Sequence, residues 1–256
     1  MHHLVEVVCA ADGPDPELVA DSLWTLGAVG VEELDGMVRG AFTDATSAGV
    51  AAEDVGGRRR TVDDGEGLDT WRRHAAVHRA GPFSVRPPWR SAVSGSIDLV
   101  IDPGHAFGSG SHPSTRLVLG LVADHVASEH QVVDLGTGSG VLAVAAARLG
   151  ATVTAVDTDP AAAASVETNR TANQVGDRIR FRSGDASDVD GVFDVGLCNM
   201  TIGLHERLGP TLTADIGLLL IGGVLRGVQE DRVRAAHRRR IVARRVEGEW
   251  AALALG

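Results

Sequence analysis

From Ile97 onward the chain alternates between short runs that are apolar at nearly every position and longer stretches with apolar residues three or four apart. The runs "SIDLVID", "QVVDLG", "ATVTAVD", "RIRFRSG" and "FDVGLCN" have the length and composition of strands buried on both faces. Between them, "STRLVLGLVADHV" places Leu117, Leu121 and Val122 on one helical side, and "VLAVAAARLG", "PAAAASVETNRTANQ" and "GLHERLGPTLTADI" also read as helices. Strand and helix in turn predict an α/β fold: a doubly wound, mostly parallel sheet. The tail "RRRIVARRVEGEWAALAL" breaks the alternation and reads as two strands about Glu247-Gly248, an antiparallel hairpin at one sheet edge.

The first sixty residues follow another pattern. "HLVEVVCA" reads as a strand, "PELVADSLWTLGA" as a helix, and "VGVEELDG" with "MVRGAFTD" as a hairpin turning at Asp35-Gly36. The expected organisation is a small α+β domain over residues 1–62, a linker with one short helix over 63–92, and the doubly wound domain over 93–256.

Composition narrows the class. The chain has 256 residues, 44% of them hydrophobic, enough for a full core, and no apolar run long enough to span a bilayer. Its start lacks the pattern of a secretory signal, and two distant cysteines, Cys9 and Cys198, exclude a disulfide scaffold. A cytoplasmic protein is expected. A net charge of −10 argues against a surface that grips nucleic acid throughout, and the arginine runs Arg58–Arg60 and Arg238–Arg240 read more simply as solvated faces. All 24 basic residues are arginine, so an enzyme attacking lysine amines would spare itself.

Candidate chemistry gathers around "VVDLGTGSGVLAVAA". A strand passes through Gly136, Gly138 and Gly140 into a helix, where glycine lets the backbone approach a ligand and the helix start favours an anionic group. Asp157 ends the next strand about twenty residues on, where a carboxylate accepts ribose hydroxyls of a nicotinamide dinucleotide or of S-adenosylmethionine alike. Asp159, before Pro160, suits a helix cap. Asp185, past the third strand, suits either an adenine contact or a plain turn. Asn199 ends the fourth strand at the edge where such sheets bind ligands. The loop "IDPGHAFGSGSHPSTR" has no Gly-Lys-Ser/Thr ending and no lysine, so it is not a phosphate loop. His74 and His78 have zinc-pair spacing, but Ala75 stands where a metalloprotease needs glutamate, so no metal site is expected.

Together "IDPGHAFGSGSHPSTR", "VVDLGTGSGVLAVAA", "VDTDP", "CNMTIGLHERL" and "EGEWAALAL" resemble the PrmA family. These are class I methyltransferases that use S-adenosylmethionine to methylate ribosomal protein L-eleven, at the large-subunit stalk base. The resemblance is strong over about residues 66–256 and rests more on element order before that. It implies that Thr115 meets the methionine end of the cofactor, that Gly136 and Gly138 approach it closely, and that Asp157 holds the ribose. By the same resemblance Asn199 lies beside the methyl group as the catalytic side chain, and Phe107 and Gly110 help the loop fold over the sulfonium. The implied activity is protein-lysine N-methylation by a monomer that needs no membrane and no direct nucleic-acid contact. Alternatives are a lysine methyltransferase for another protein, such as an electron-transfer flavoprotein subunit, and a nicotinamide-dependent oxidoreductase. The sequence departs from the family at Met200-Thr201, at His105, and in a short segment before "EGEW" that leaves little room for a last helix. The stretch Asn199-Met200-Thr201-Ile202 also lacks the N-P-P-(Y/F) slot used on planar nitrogens, which favours an amine target.

Overall fold

A computed structural model describes residues 2–9, 12–28, 30–34, 36–42, 45–62, 76–102 and 110–256. The chain divides into two compact units, 1–75 and 76–256.

In the first unit, β1 (His2–Val8), α1 (Pro16–Thr25), β2 (Gly30–Leu34), β3 (Met37–Phe42), α2 (Ala45–Asp54) and β4 (Arg58–Val62) follow one another. The four strands form one antiparallel sheet in the order β2-β3-β1-β4, a ferredoxin-like arrangement. Val5, Val7, Val38 and Phe42 of the sheet pack with Val19, Ala20 and Leu23 of α1 and with Ala48 and Ala51 of α2. The sequence reading ended this unit as β-α-β-β. It missed α2, whose buried face is two alanines, and β4, an edge strand on β1 that carries the solvated arginine run Arg58–Arg60.

The second unit begins with β5 (His78–Ala80) and β6 (Phe83–Arg86), inside the stretch read as a linker. Both belong to a three-stranded sheet with β7 (Ile97–Val100), antiparallel between β5 and β6 and parallel between β6 and β7. Ala80, Phe83, Val85 and Leu99 anchor this sheet in the main core, so the described part of that stretch is structured domain. Residues 63–75, with the expected short helix and His74, lie outside the described residues.

Then come α3 (Pro113–His125), β8 (Gln131–Leu135), α4 (Val141–Arg148), β9 (Thr152–Asp157), α5 (Pro160–Ala172), β10 (Ile179–Ser183), β11 (Val192–Asn199), α6 (Ile202–Leu208), β12 (Asp215–Leu225), α7 (Val228–His237), β13 (Ile241–Glu247) and β14 (Trp250–Leu255). The seven-stranded sheet runs β10-β9-β8-β11-β12-β14-β13. Its first five strands are parallel and β14 is antiparallel to both neighbours. Side chains alternate between two cores: Val132 and Leu197 face one, Val133, Leu135 and Cys198 the other. Both faces are covered, which is why these strands read as continuous apolar runs. The chain moves outward one way from β8 to β10 and the other way from β11 to β12. The carboxyl ends of β8 and β11 therefore form the switch point at which such sheets bind ligands.

Two expectations change in detail, and the antiparallel hairpin expected at one sheet edge forms there. The helix read over "GLHERLGPTLTADI" ends at Leu208, because Asp215 already begins β12. In the terminal hairpin the last strand takes the inner place, since β14 is buried at every position while the mostly exposed β13 takes the edge. The last helix, α7, does form: Glu230 accepts from the Gly227 N–H at 3.1 Å, Val233 is buried, and Arg238 in left-handed conformation ends it.

Candidate active site

The loop after β8 is built from glycines in a conformation other residues rarely adopt. Gly136, Gly138 and Gly140 have φ of 73°, 53° and 81°. The backbone N–H groups of Gly136 and Thr137 both donate to the Val156 carbonyl, at 2.9 and 3.0 Å. Beneath the loop lies Asp134, a fully buried carboxyl whose Oδ2 accepts from Thr137 Oγ1 at 2.6 Å and from the Ala143 N–H at 3.2 Å. Burial pushes its pKa up to about 7 against the pull of those two donors, and the nearby Asp157 charge adds to the rise. Sequence reasoning gave Asp134 no role, although a lone acid in "VVDL" was the signal.

Asp157 faces the same loop from the end of β9. Its Oδ2 accepts from the Gly138 N–H at 2.8 Å and its Oδ1 from the Asp159 N–H at 2.9 Å. Two backbone donors fix the carboxylate and leave each oxygen a further lone pair. Asp159 caps α5 through the Ala161 N–H at 2.8 Å, as the sequence suggested. Asp185 serves the turn that follows β10. Its Oδ1 accepts from both the N–H and the hydroxyl of Ser187 at 2.8 Å, capping a short 3-10 turn, and the backbone bond first of all draws its pKa down.

The other wall is the end of β11. Asn199 Nδ2 donates to Thr115 Oγ1 at 3.1 Å, and Thr115, in the first turn of α3, is buried. That turn starts at His112, whose ring nitrogen caps the Ser114 N–H at 3.2 Å and whose ring meets Trp250 edge-on at 4.6 Å. Burial, then Arg116, lower the His112 pKa to about 4, so the cap is a neutral acceptor. Arg116 binds the Ser111 carbonyl and the Glu247 carboxylate, joining the loop's end to the terminal hairpin. Gly110, at φ 83°, is glycine for packing: a Cβ there would lie 2.6 Å from Val85 Cγ1. Phe107 and His105 lie outside the described residues.

Behind Asn199 the backbone is packed without slack. A Cβ on Gly222 would stand 2.6 Å from Asn199 Oδ1 and 2.4 Å from Val118 Cγ2, and one on Gly223 (φ 74°) 2.3 Å from the Met200 carbonyl. The register of β12 against β14 shifts at this point. His205 closes the arrangement from α6, fully buried, with Nε2 2.9 Å from the Gly222 carbonyl and Nδ1 3.6 Å from Cys198 Sγ. Burial lowers its pKa to about 4, so the neutral ring donates from Nε2 and its Nδ1 accepts from the Cys198 thiol, itself pushed up by burial. Met200 completes the link across the site, since its Cε lies 3.2 Å from where a Gly136 Cβ would be. The structure thus brings Gly136, Gly138, Asp157, Asn199 and Thr115 to one edge of the sheet.

A family model described as ribosomal protein L11 methyltransferase (PrmA) matches residues 17–255. The chain belongs to this family. The PrmA match takes in most of the N-terminal unit as well as the sheet domain, and family membership sets aside the nicotinamide-dependent oxidoreductase. A ribosomal protein L11 methyltransferase of Thermus thermophilus is 36% identical over 248 residues, covering 93% of this chain and 94% of that protein. The Heliobacterium modesticaldum protein of the same name is 32% identical over 272 residues, covering 93% and 86%. Among solved structures, a ribosomal protein L11 methylase from Lactobacillus delbrueckii subsp. bulgaricus superposes with a TM-score of 0.62 at 26% identity. It covers 70% of this chain and 97% of its own. By fold and family the chain is a class I, S-adenosylmethionine-dependent methyltransferase. Among the described residues, no helix is long and apolar enough to cross a membrane, and no group of three or more potential ligands is placed to hold a metal ion.

Proposed function

We propose that this chain transfers methyl groups from S-adenosylmethionine to amino groups, lysine side chains above all, of ribosomal protein L11. The observation that carries the reading is the junction of Asn199 and Thr115 beside a glycine loop held by Asp157, at the switch point of the sheet. The residues fit the cofactor. The fixed Asp157 carboxylate has lone pairs for two ribose hydroxyls, and Gly136 and Gly138 offer backbone where a side chain would intrude. Thr115 takes the methionine end, and Phe107 and Gly110 belong to the same site by resemblance. When bound, the cofactor supplies an electrophilic methyl group on a positively charged sulfur.

The protein's own work is then to present a neutral amine in line. A free lysine has a pKa of about 10.4, and a desolvated pocket lowers it. Asn199 has its Nδ2 committed to Thr115, which leaves Oδ1 as the carboxamide's acceptor for the N–H of an incoming amine. Orientation supplies the remaining rate, and no side chain is assigned as a dedicated base. The N-terminal unit is the grip on the protein substrate. The enzyme acts as a cytoplasmic monomer on the protein of the large-subunit stalk base, with no direct nucleic-acid contact required, in keeping with a net charge of −10.

The test is transfer of labelled methyl from S-adenosylmethionine to purified unmethylated ribosomal protein L11, read by intact mass. Mass gains in steps of one methyl support the substrate. Cofactor binding without transfer would move the target to another protein.

A further inference from the structure

β7 is the outer strand of its sheet and pairs with β6 on one side only. On that side Ile97 and Ile101 donate to the carbonyls of Pro82 and Arg86, both at 2.8 Å. By strand alternation the N–H and C=O groups of Val100 and Asp102 point the other way, to the free edge. Two buried asparagines of α5 and its cap satisfy all four. Asn173 Oδ1 accepts from the Val100 N–H at 2.9 Å while its Nδ2 donates to the Val100 carbonyl at 2.6 Å. Asn169 Oδ1 accepts from the Asp102 N–H at 2.8 Å while its Nδ2 donates to the Asp102 carbonyl at 2.9 Å.

The fit follows from two periodicities. Four residues of helix rise about 6 Å, and two residues of strand advance about 6.6 Å. Asparagines at i and i+4 therefore present their carboxamides at the spacing of alternate strand residues, and stand in for a neighbouring strand.

The two residues differ in one bond. Asn173 sends its remaining donor back to the Asn169 carbonyl of its own helix, at 2.7 Å. Asn169 sends its own to the Ser139 carbonyl, at 2.8 Å, inside the glycine loop between Gly138 and Gly140. A single carboxamide, 1% exposed and with both donors and its acceptor engaged, holds the chain at Asp102 and the glycine loop together.

We propose that Asn169 is a positioning residue that sets the glycine loop for cofactor binding through its bond to Ser139, whereas Asn173 serves the β7 edge alone. This rests on reading the glycine loop as the cofactor's. Binding of S-adenosylhomocysteine is measured by calorimetry for the wild type, Asn169→Ala and Asn173→Ala, together with the thermal midpoint of each free protein. Both variants lower the midpoint comparably, since each strips partners from one residue of the β7 edge. Only Asn169→Ala raises Kd, by about tenfold, the scale of one lost buried hydrogen bond. Asn173→Ala stays within about twofold of the wild type. Equal increases in Kd for the two variants, or none for Asn169→Ala, would overturn the proposal. Should Asn169→Ala fail to fold, Asn169→Ser is held to the same two outcomes. A wild type that does not bind S-adenosylhomocysteine would overturn the cofactor reading itself, and this inference with it.

Discussion

Asn199 Nδ2 donates to Thr115 Oγ1 across 3.1 Å, tying the last residue of β11 to the first turn of α3 over 84 positions of sequence. The bond fixes which end of the carboxamide meets α3. Replacing Asn199 with Ala removes the acceptor proposed for the amine and leaves the buried Thr115 hydroxyl without its donor. Turnover is expected to fall about 100-fold, the scale of a misplaced reacting group, while S-adenosylhomocysteine affinity changes much less. Steady-state kinetics beside calorimetry check this, and equal losses in both would remove Asn199 from the chemistry.

Asp157 carries the opposite signature. Asn at this position cannot accept from both the Gly138 and Asp159 N–H groups, and it offers one acceptor oxygen in place of two. Asp157→Asn is expected to weaken S-adenosylhomocysteine binding by roughly 10- to 100-fold, the range for a lost charge-assisted hydrogen bond. With saturating cofactor, turnover should recover most of its value. A variant that binds normally would end the assignment of Asp157 to the ribose.

Much of this was legible in the sequence because the physics is local. The β8–loop–α4 glycines, the Asp159 cap before Pro160 and the apolar strands of a two-sided sheet each declare themselves within ten residues. The missed parts depend on partners far along the chain. Asn169 and Asn173 look like ordinary helix surface until Val100 and Asp102, 67 or more positions away, meet them. His205 reads as an ordinary helical histidine until the Gly222 carbonyl, 17 residues later, folds over it. The strand β4 hides in an arginine run because Arg58, Arg59, Arg60 and Thr61 are all exposed, so no apolar alternation marks it.

Asp134 gives the fold a dependence on pH. Its pKa is raised from 3.8 to about 7 in the folded state, so between those values the folded protein binds more protons than the unfolded one. The stability it contributes is complete below pH 3.8 and is lost as pH rises through 7. His112, His205 and His237, all lowered from 6.5 to about 4, act with the opposite sign, losing their contribution as pH falls from 6.5 toward 4. The comparison that isolates Asp134 is Asp134→Asn against the wild type. The variant's stability relative to wild type should rise between pH 5 and 8, measured by urea unfolding across that range. A difference that does not change with pH would mean that Asp134 is ionised throughout.

The tight backbone behind Asn199 supports a steric test of the same site. A methyl group on Gly222 would meet Asn199 Oδ1 at 2.6 Å and Val118 Cγ2 at 2.4 Å, and the His205 bond to the Gly222 carbonyl holds the strand where it is. Overpacking of this kind costs about 1–3 kcal/mol, and relief requires either Val118 or Asn199 to move. Gly222→Ala alone is therefore expected to lower both stability and turnover. Adding Val118→Ala removes one of the two clashes, so the double variant should regain stability while turnover stays low, because the contact with Asn199 remains. Recovery of both together would place the damage in the core packing of α3 and leave the position of Asn199 untouched.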